Sequence, residues 1–402
     1  QASNPGFPTL NSIATEPFDE LRSAIAGGDV AKTLDHLVEL LRDQKRYHEL
    51  FDALLMRGRL RLGLPIVLAG SLDELAEPLR SQVEQAYIEA CREVGLALAA
   101  AGQLRESWMY LRPVADPALV AEVLEKIEPN DDNLQDLIEI AVHEGMAVPL
   151  GYRLVLERYG TCNAITMFDG VFAGRPRRDQ QAAADLLVRH LHRELVANLR
   201  ADIQRQEGAE PAGQMLAELV HDRDWLFGEH NYHVDTTHLA SVARFSRVLE
   251  DPAALRLALD LTAYGRRLHR QFQFPGEEPF KDTYPAHALF FQAMLGENAD
   301  EALAYFRTRA EELGTEQSGT LPAEVYVALL AHQQRYDEAL AAAARWLPPG
   351  TRTTGFAPNL MELSRRAGRF DRLIEVCQER GDLVGFAAGL VEQARQQVAK
   401  PE

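Results

Sequence analysis

Cysteine is scarce: Cys91, Cys162 and Cys377 are the only three in 402 residues. They are odd in number, far apart and form no CxxC pair, which argues against a thiolate zinc site or a disulfide framework. Three lone thiols fit a reducing compartment, so cytoplasmic is the default expectation. The opening QASNPGFPTL lacks the basic and apolar regions of a signal peptide. A removed leader is left open, because the chain starts at Gln1. No apolar run approaches the roughly 18–20 residues that span a bilayer, so no membrane insertion is expected. Basic charge is in deficit, with 42 Lys+Arg against 60 Asp+Glu and a net charge of −18. That balance argues against a nucleic-acid binder, which needs a basic footprint, and against docking on an anionic membrane; neutral or cationic partners are expected instead. Neither GxxxxGK[ST] nor GxGxxG occurs, so ATP-type and dinucleotide-type chemistry have no foothold. Strand signals are nearly absent, and the one hairpin cue, Asp169-Gly170, lacks alternating flanks.

What remains is helical. Residues 1–16, with Pro5, Gly6 and Pro8, read as an extended arm, and Thr15 with Pro17 reads as the start of the first helix. Beyond it almost every segment carries apolar residues at helical spacing. The longest stripe runs through Leu187, Val188, Leu191, Leu195, Leu199 and Ile203. The fold class expected is all-α.

Short breaks recur, each followed by an acidic, Ala/Leu-rich helix: AGGDVAKTL (26–34), AGQLRES (101–107), GENADEALAYF (296–306), QQRYDEALAAA (333–343) and AGRFDRLIEV (367–376). Taking Ala299, Tyr336 and Phe370 as equivalent gives spacings of 336 − 299 = 37 and 370 − 336 = 34. That is the period of two short antiparallel helices with their turns. One such hairpin cannot bury its own apolar face, so neighbours must stack. The turn-then-YDEAL segments resemble the junction inside a tetratricopeptide (TPR) repeat, well over about 290–380, more weakly at 20–60 and 90–115, and not between about 160 and 285. The resemblance is to a divergent, TPR-like member. It implies an α-α superhelix, or solenoid, whose concave groove holds a protein or peptide. The organisation expected is an arm at 1–16, helical hairpins over 17–160, an irregular helical segment over 161–288, and TPR-like repeats over 289–402. Leu340 and Leu373 should be buried between hairpins, with Arg335 and Arg369 exposed in the turns.

Candidate chemistry centres on Glu229-His230-Asn231-Tyr232-His233-Val234-Asp235-Thr236-Thr237-His238. Three imidazoles and a carboxylate suit zinc or another borderline divalent metal, so His230, His233, Asp235 and His238 are the candidate ligands. Asp235 also looks like the N-cap of a following helix, which puts His230 and His233 on a loop and His238 in a first turn. No HExxH motif is present. If a metal is bound, a helical hydrolase or lyase is the alternative to a binding module, with Glu229, Tyr232 or His269 as candidates for proton transfer. At least two of the four candidate ligands should then face one cavity, and His233→Ala should cost little stability.

The neighbouring QFQFPGEEPFKDTYPAH (271–287) holds Phe272, Phe274, Phe280 and Tyr284, which must be buried somewhere. His269 and His287 flank this loop and could join the same pocket. His192 falls in the stripe of the long helix and His190 opposite it, so this pair cannot chelate one ion. Cys162 lies beside a break that could expose its thiol. Arg175, Arg177 and Arg178 read as a solvated basic turn.

Overall fold

The computed structural model describes residues 16–67, 71–347 and 353–398. The arm expected at 1–16 therefore lies, but for its last residue, outside the described residues. The chain is all-α, with no strand among the described residues. None of its helices there is long and apolar enough to cross a membrane.

Two compact units divide between Leu154 and Val155. The first contains α1 (Glu16–Ala26), α2 (Val30–Asp43), α3 (Tyr47–Arg61), α4 (Leu79–Ala100), α5 (Leu104–Val114), α6 (Pro117–Glu125) and the short α7 (Leu134–Ile138). The division falls inside α8 (Val148–Val171), whose helical backbone is broken at Gly160, φ 81° and ψ 176°. The second unit continues with α9 (Arg177–Glu207), α10 (Leu216–Val220), α11 (Thr236–Phe245) and α12 (Pro252–Gly265). Then follow α13 (Thr283–Met294), α14 (Ala299–Ser318), α15 (Leu321–His332), α16 (Tyr336–Trp346), α17 (Leu360–Ala367), α18 (Phe370–Arg380) and α19 (Leu383–Val398).

Most helices pack on their sequence neighbours. In the first unit Val38, Leu50, Val94 and Leu98 form a shared core between α2, α3 and α4. His48 on α3 then bonds the Tyr110 hydroxyl at 2.8 Å and Glu106 at 3.0 Å, tying α3 to α5. In the second unit α9 is the central post, with Leu187, Val188, Leu191, Leu195, Leu199 and Ile203 all fully buried. Each such side chain contributes about 1.5–3 kcal/mol on leaving water. From α13 onward every helix touches the next, and α13 also reaches α15 while α14 reaches α16. Leu340 and Leu373 are buried. Arg335 and Arg369 both stay open to solvent in the turns, with side chains 40% and 39% exposed; Arg369 pairs there with Asp371 at 2.8 Å and Asp337 at 3.2 Å.

Three of the recurring breaks in the sequence, at 101–107, 333–343 and 367–376, and the connection between α2 and α3 use one and the same backbone turn. Between α2 and α3, α4 and α5, α15 and α16, and α17 and α18, a residue in the left-handed region ends the first helix: Lys45 (φ 56°), Gly102 (77°), Gln334 (59°) and Gly368 (69°). The next residue, Arg46, Gln103, Arg335 or Arg369, has ψ between 58° and 67° and starts the second helix. Its N–H donates to the carbonyl five positions back, of Leu41, Leu98, Leu330 and Ser364, at 2.9 Å each time. This bond closes a Schellman turn and satisfies carbonyls that the helix end would otherwise leave unpaired.

An L-residue at such a position costs roughly 1–2 kcal/mol, part of which glycine's greater loss of freedom offsets. Gln334→Gly should therefore raise stability by up to about 1 kcal/mol, and Gly368→Ala should lower it by about 1–2 kcal/mol. Both sites are exposed, so packing is untouched. Urea denaturation followed by circular dichroism measures both; shifts of the same sign would contradict the turn geometry.

Candidate functional site

Two concave sites in the second unit bring chemistry together. The first is a cleft of about 830 Å³ between the C-terminal half of α9 and the loop over 225–235. Val234 and Leu226 bury themselves to anchor that loop, and Asn198 donates to the His233 carbonyl at 2.8 Å. Asp235 is the N-cap of α11, accepting from the Thr237 N–H at 2.8 Å, the Thr237 hydroxyl at 2.6 Å and the His238 N–H at 3.3 Å. The Thr237 hydroxyl and these N–H groups hold its carboxyl below the usual carboxylate range.

His233 is the most constrained of the candidates. Its own N–H donates to the Tyr264 hydroxyl oxygen at 3.0 Å. The Tyr264 proton is thereby left to point at His233 Nδ1, 3.1 Å away, and Nε2–H then donates to Asp202 Oδ2 at 3.0 Å. Burial pushes the Tyr264 phenol up to about 12, against a small opposing pull from that N–H. Burial alone would raise the Asp202 carboxyl too, but His233 and Arg205 together outweigh it and hold it below its ordinary value.

The cleft is lined by His230, Tyr232, His233 and Asp235. Glu229, His238 and His269 do not line it. His230 and Tyr232 are exposed, His238 sits in the first turn of α11, and His269 is half-buried with Nδ1 unpaired. Both ring nitrogens of His233 are engaged, and Asp235 spends one oxygen on capping. Among the described residues no group of three or more His, Cys, Asp and Glu side chains is placed to hold a metal ion. His287 does not join this cleft: it is buried elsewhere, accepting from Arg247 Nε at 2.8 Å and donating to the Thr283 carbonyl at 2.5 Å. Phe280 and Tyr284 of the aromatic loop are buried, Phe272 meets Tyr232 edge-on at 5.1 Å, and Phe274 stays exposed. His192 is buried against Asp260 at 2.7 Å, and Cys162 is exposed.

The second site is a groove of about 510 Å³ across α13, α15 and α17, the first helices of three successive hairpins. Each contributes a pair four apart, Phe290 and Met294, Ala328 and His332, Glu362 and Arg366, and α15 adds Ala331. Their spacings, 328 − 290 = 38 and 362 − 328 = 34, repeat for the second members, 332 − 294 = 38 and 366 − 332 = 34. The period of 37 and 34 counted at the second helices, carried back from Phe290, reaches the neighbours of Ala328 and Glu362 rather than the residues themselves.

One groove wall is Phe356, which packs on Phe290 with centroids 5.9 Å apart and lies under the Arg177 guanidinium at 5.5 Å. Arg177, expected in a solvated turn, is instead part of this site and pairs with Glu250 at 3.5 Å. The wall is held by Glu324, which is fully buried and, among the described residues, has no cationic partner within ion-pair distance. Its carboxylate takes the Thr320 hydroxyl at 2.6 Å, the Thr354 N–H and hydroxyl at 2.7 and 2.9 Å, and the Phe356 N–H at 2.8 Å.

Two outcomes follow. The His233 side chain is only 9% exposed, so His233→Ala should cost about 1–3 kcal/mol rather than little, since it leaves Asp202 Oδ2 and the Tyr264 hydroxyl proton without their imidazole partner. Asp202→Asn should cost a similar amount at pH 7. A carboxyl with a lowered folded-state pKa contributes stability above its ordinary value of 3.8 and loses it as pH falls through the lower one. The gap between wild type and Asp202→Asn in urea midpoint should therefore be constant from pH 7 to about 5 and close below about pH 4. A gap that stays constant into acid would mean the His233–Asp202 bond is not formed. No family model, curated protein or solved structure matches this chain.

Proposed function

We propose that this chain is a TPR-like α-solenoid that binds a protein or peptide in the groove across α13, α15 and α17. The observation that carries the reading is the repetition of one lining pair in three consecutive first helices. A stack of hairpins presents equivalent positions side by side, and an extended ligand can contact each in turn. The floor is apolar, from Phe290, Met294, Ala328 and Phe356, while Arg177 with Glu250 and Arg366 with Glu362 place paired charges around it. Such a surface suits a short peptide with apolar anchors and charges of both signs at its flanks, rather than a uniformly acidic or basic one. A metal-dependent hydrolase or lyase at 230–238 has less support, because Asp235 caps a helix and His233 offers no free nitrogen.

Ala328 is half-buried in the groove floor, so Ala328→Glu places a charge there without opening the core. A random peptide library displayed on phage should enrich sequences with wild type, and those peptides should lose at least about tenfold in affinity for Ala328→Glu, the cost of roughly 1.4 kcal/mol. The melting temperature should be unchanged. No enrichment, or peptides that bind both proteins equally, would refute the groove reading.

A further inference from the structure

We propose that the outer face of α19 is a homodimer surface, on which a second copy of the chain lays its own α19 antiparallel. Leu383, Val384, Leu390, Val391 and Val398 are 81%, 81%, 46%, 57% and 88% exposed, an unusual amount of aliphatic surface for one helix. With Ala387 and Ala394, also exposed, they occupy one sector of about 120° at about 100° per residue.

The opposite side of α19 is already occupied. Gly385 and Gly389, four apart, sit so close to α18 that a Cβ would lie 2.6 Å from Cys377 Sγ and 2.9 Å from Ile374 Cγ1. Phe386 packs beside them on Phe370, Leu373 and Cys377. Close seating on α18 therefore fixes which way the stripe points, and it points away from the hairpins.

Three features select a second copy as the occupant. Val384, Ala387, Val391, Ala394 and Val398 follow spacings of 3, 4, 3 and 4, the seam of a two-helix coiled coil. Counted from Val391 the offsets are −7, −4, 0, +3 and +7, almost the same in both directions. An antiparallel copy therefore sets Val384 against the partner's Val398 and Val391 against its own equivalent, as a two-fold interface requires. Charge is the third feature. No ionisable residue occurs between Asp382 and Glu392, and beyond them Glu392 pairs with Arg395 on the same helix, so the stripe adds little repulsion of its own between two chains of net charge −18.

The helix has 16 residues, about 24 Å, and a face about 10 Å wide. That footprint is below the roughly 800 Å² that a standard interface takes from each partner, so the dimer should be concentration-dependent, in the micromolar range rather than the nanomolar.

Sedimentation equilibrium of the full chain over a concentration series should show a monomer–dimer equilibrium. Val391→Glu should shift its midpoint upward at least tenfold without altering the melting temperature, since Val391 lies on the exposed stripe. Orientation is read by cysteine cross-linking in a Cys162→Ser background. Val391→Cys should form a disulfide-linked dimer by itself. Val384→Cys should form one only when mixed with Val398→Cys. A chain that stays monomeric throughout, a dimer that persists in Val391→Glu, or efficient self-linking of Val384→Cys would each overturn the proposal.

Discussion

A single hydrogen bond, from the residue after each left-handed turn to the carbonyl five positions back, sets the path of the hairpins. Once Arg335 N–H is spent on Leu330 and Arg369 N–H on Ser364, the chain has closed one helix and begun the next within two residues. A turn that short leaves the second helix no course but back along the first. The returning helix buries Leu340 or Leu373 on one side and still has an apolar side to cover, so a further hairpin must follow. The ion pairs that join successive second helices, Arg335 with Asp300 at 3.8 Å and Arg369 with Asp337 at 3.2 Å, repeat in the same register. They are exposed, and pairs of that kind contribute at most about 1 kcal/mol. Their regularity marks the register that the turns impose.

The groove is a consequence of that register. Phe290, Ala328 and Glu362 share a groove because each lies four or five residues before the end of its helix, not because each was placed individually. The connection from α16 to α17 is much longer than these turns, covering 347–359. There the buried Glu324 carboxylate performs the ordering, taking four hydrogen bonds, three of them from Thr354 and Phe356. A buried carboxylate is costly unless its oxygens are bonded, so this position holds Thr354 and Phe356 in place before α17. Phe356 is thereby fixed against Phe290, and the groove acquires a wall that belongs to no helix.

How much of this could be read in the chain depended on the range of the interactions. Local periodicity identified α9 and its stripe, the turns at 101–107, 333–343 and 367–376, and the cap at Asp235, because each is decided within a few residues. The partners of those elements were not legible. Nothing in AGRPRRD indicates that Arg177 reaches Phe356, 179 residues away, and no spacing reveals that Asp202 and Tyr264 close on His233. The groove lay between these cases. Its residues are unremarkable one by one, and the period counted on the second helices, carried back from 290, falls one residue short of 328 and 362.

The density of histidine over 161–288 has a physical reason that does not involve a metal. In this segment loops replace two-residue turns, and a loop carries backbone groups and polar side chains that must be satisfied away from water. Three histidines in or beside this segment do that work in related ways. His192 bonds Asp260, whose carboxylate also takes the Leu216 and Ala217 N–H groups at 2.6 and 2.9 Å and so caps α10. His233 joins Tyr264 to Asp202 and fixes the loop before α11. His287 accepts from Arg247, which reaches on to Glu277 at 3.0 Å and lies over Phe280 at 3.9 Å, pinning the aromatic loop. Burial and the adjacent guanidinium hold the His287 pKa well below its ordinary value, so the ring stays neutral and can accept. A neutral imidazole both donates and accepts, in opposite directions and in one plane. That makes it suited to joining a loop on one side to a helix on the other, which is the recurring need of a segment inserted into an array of hairpins.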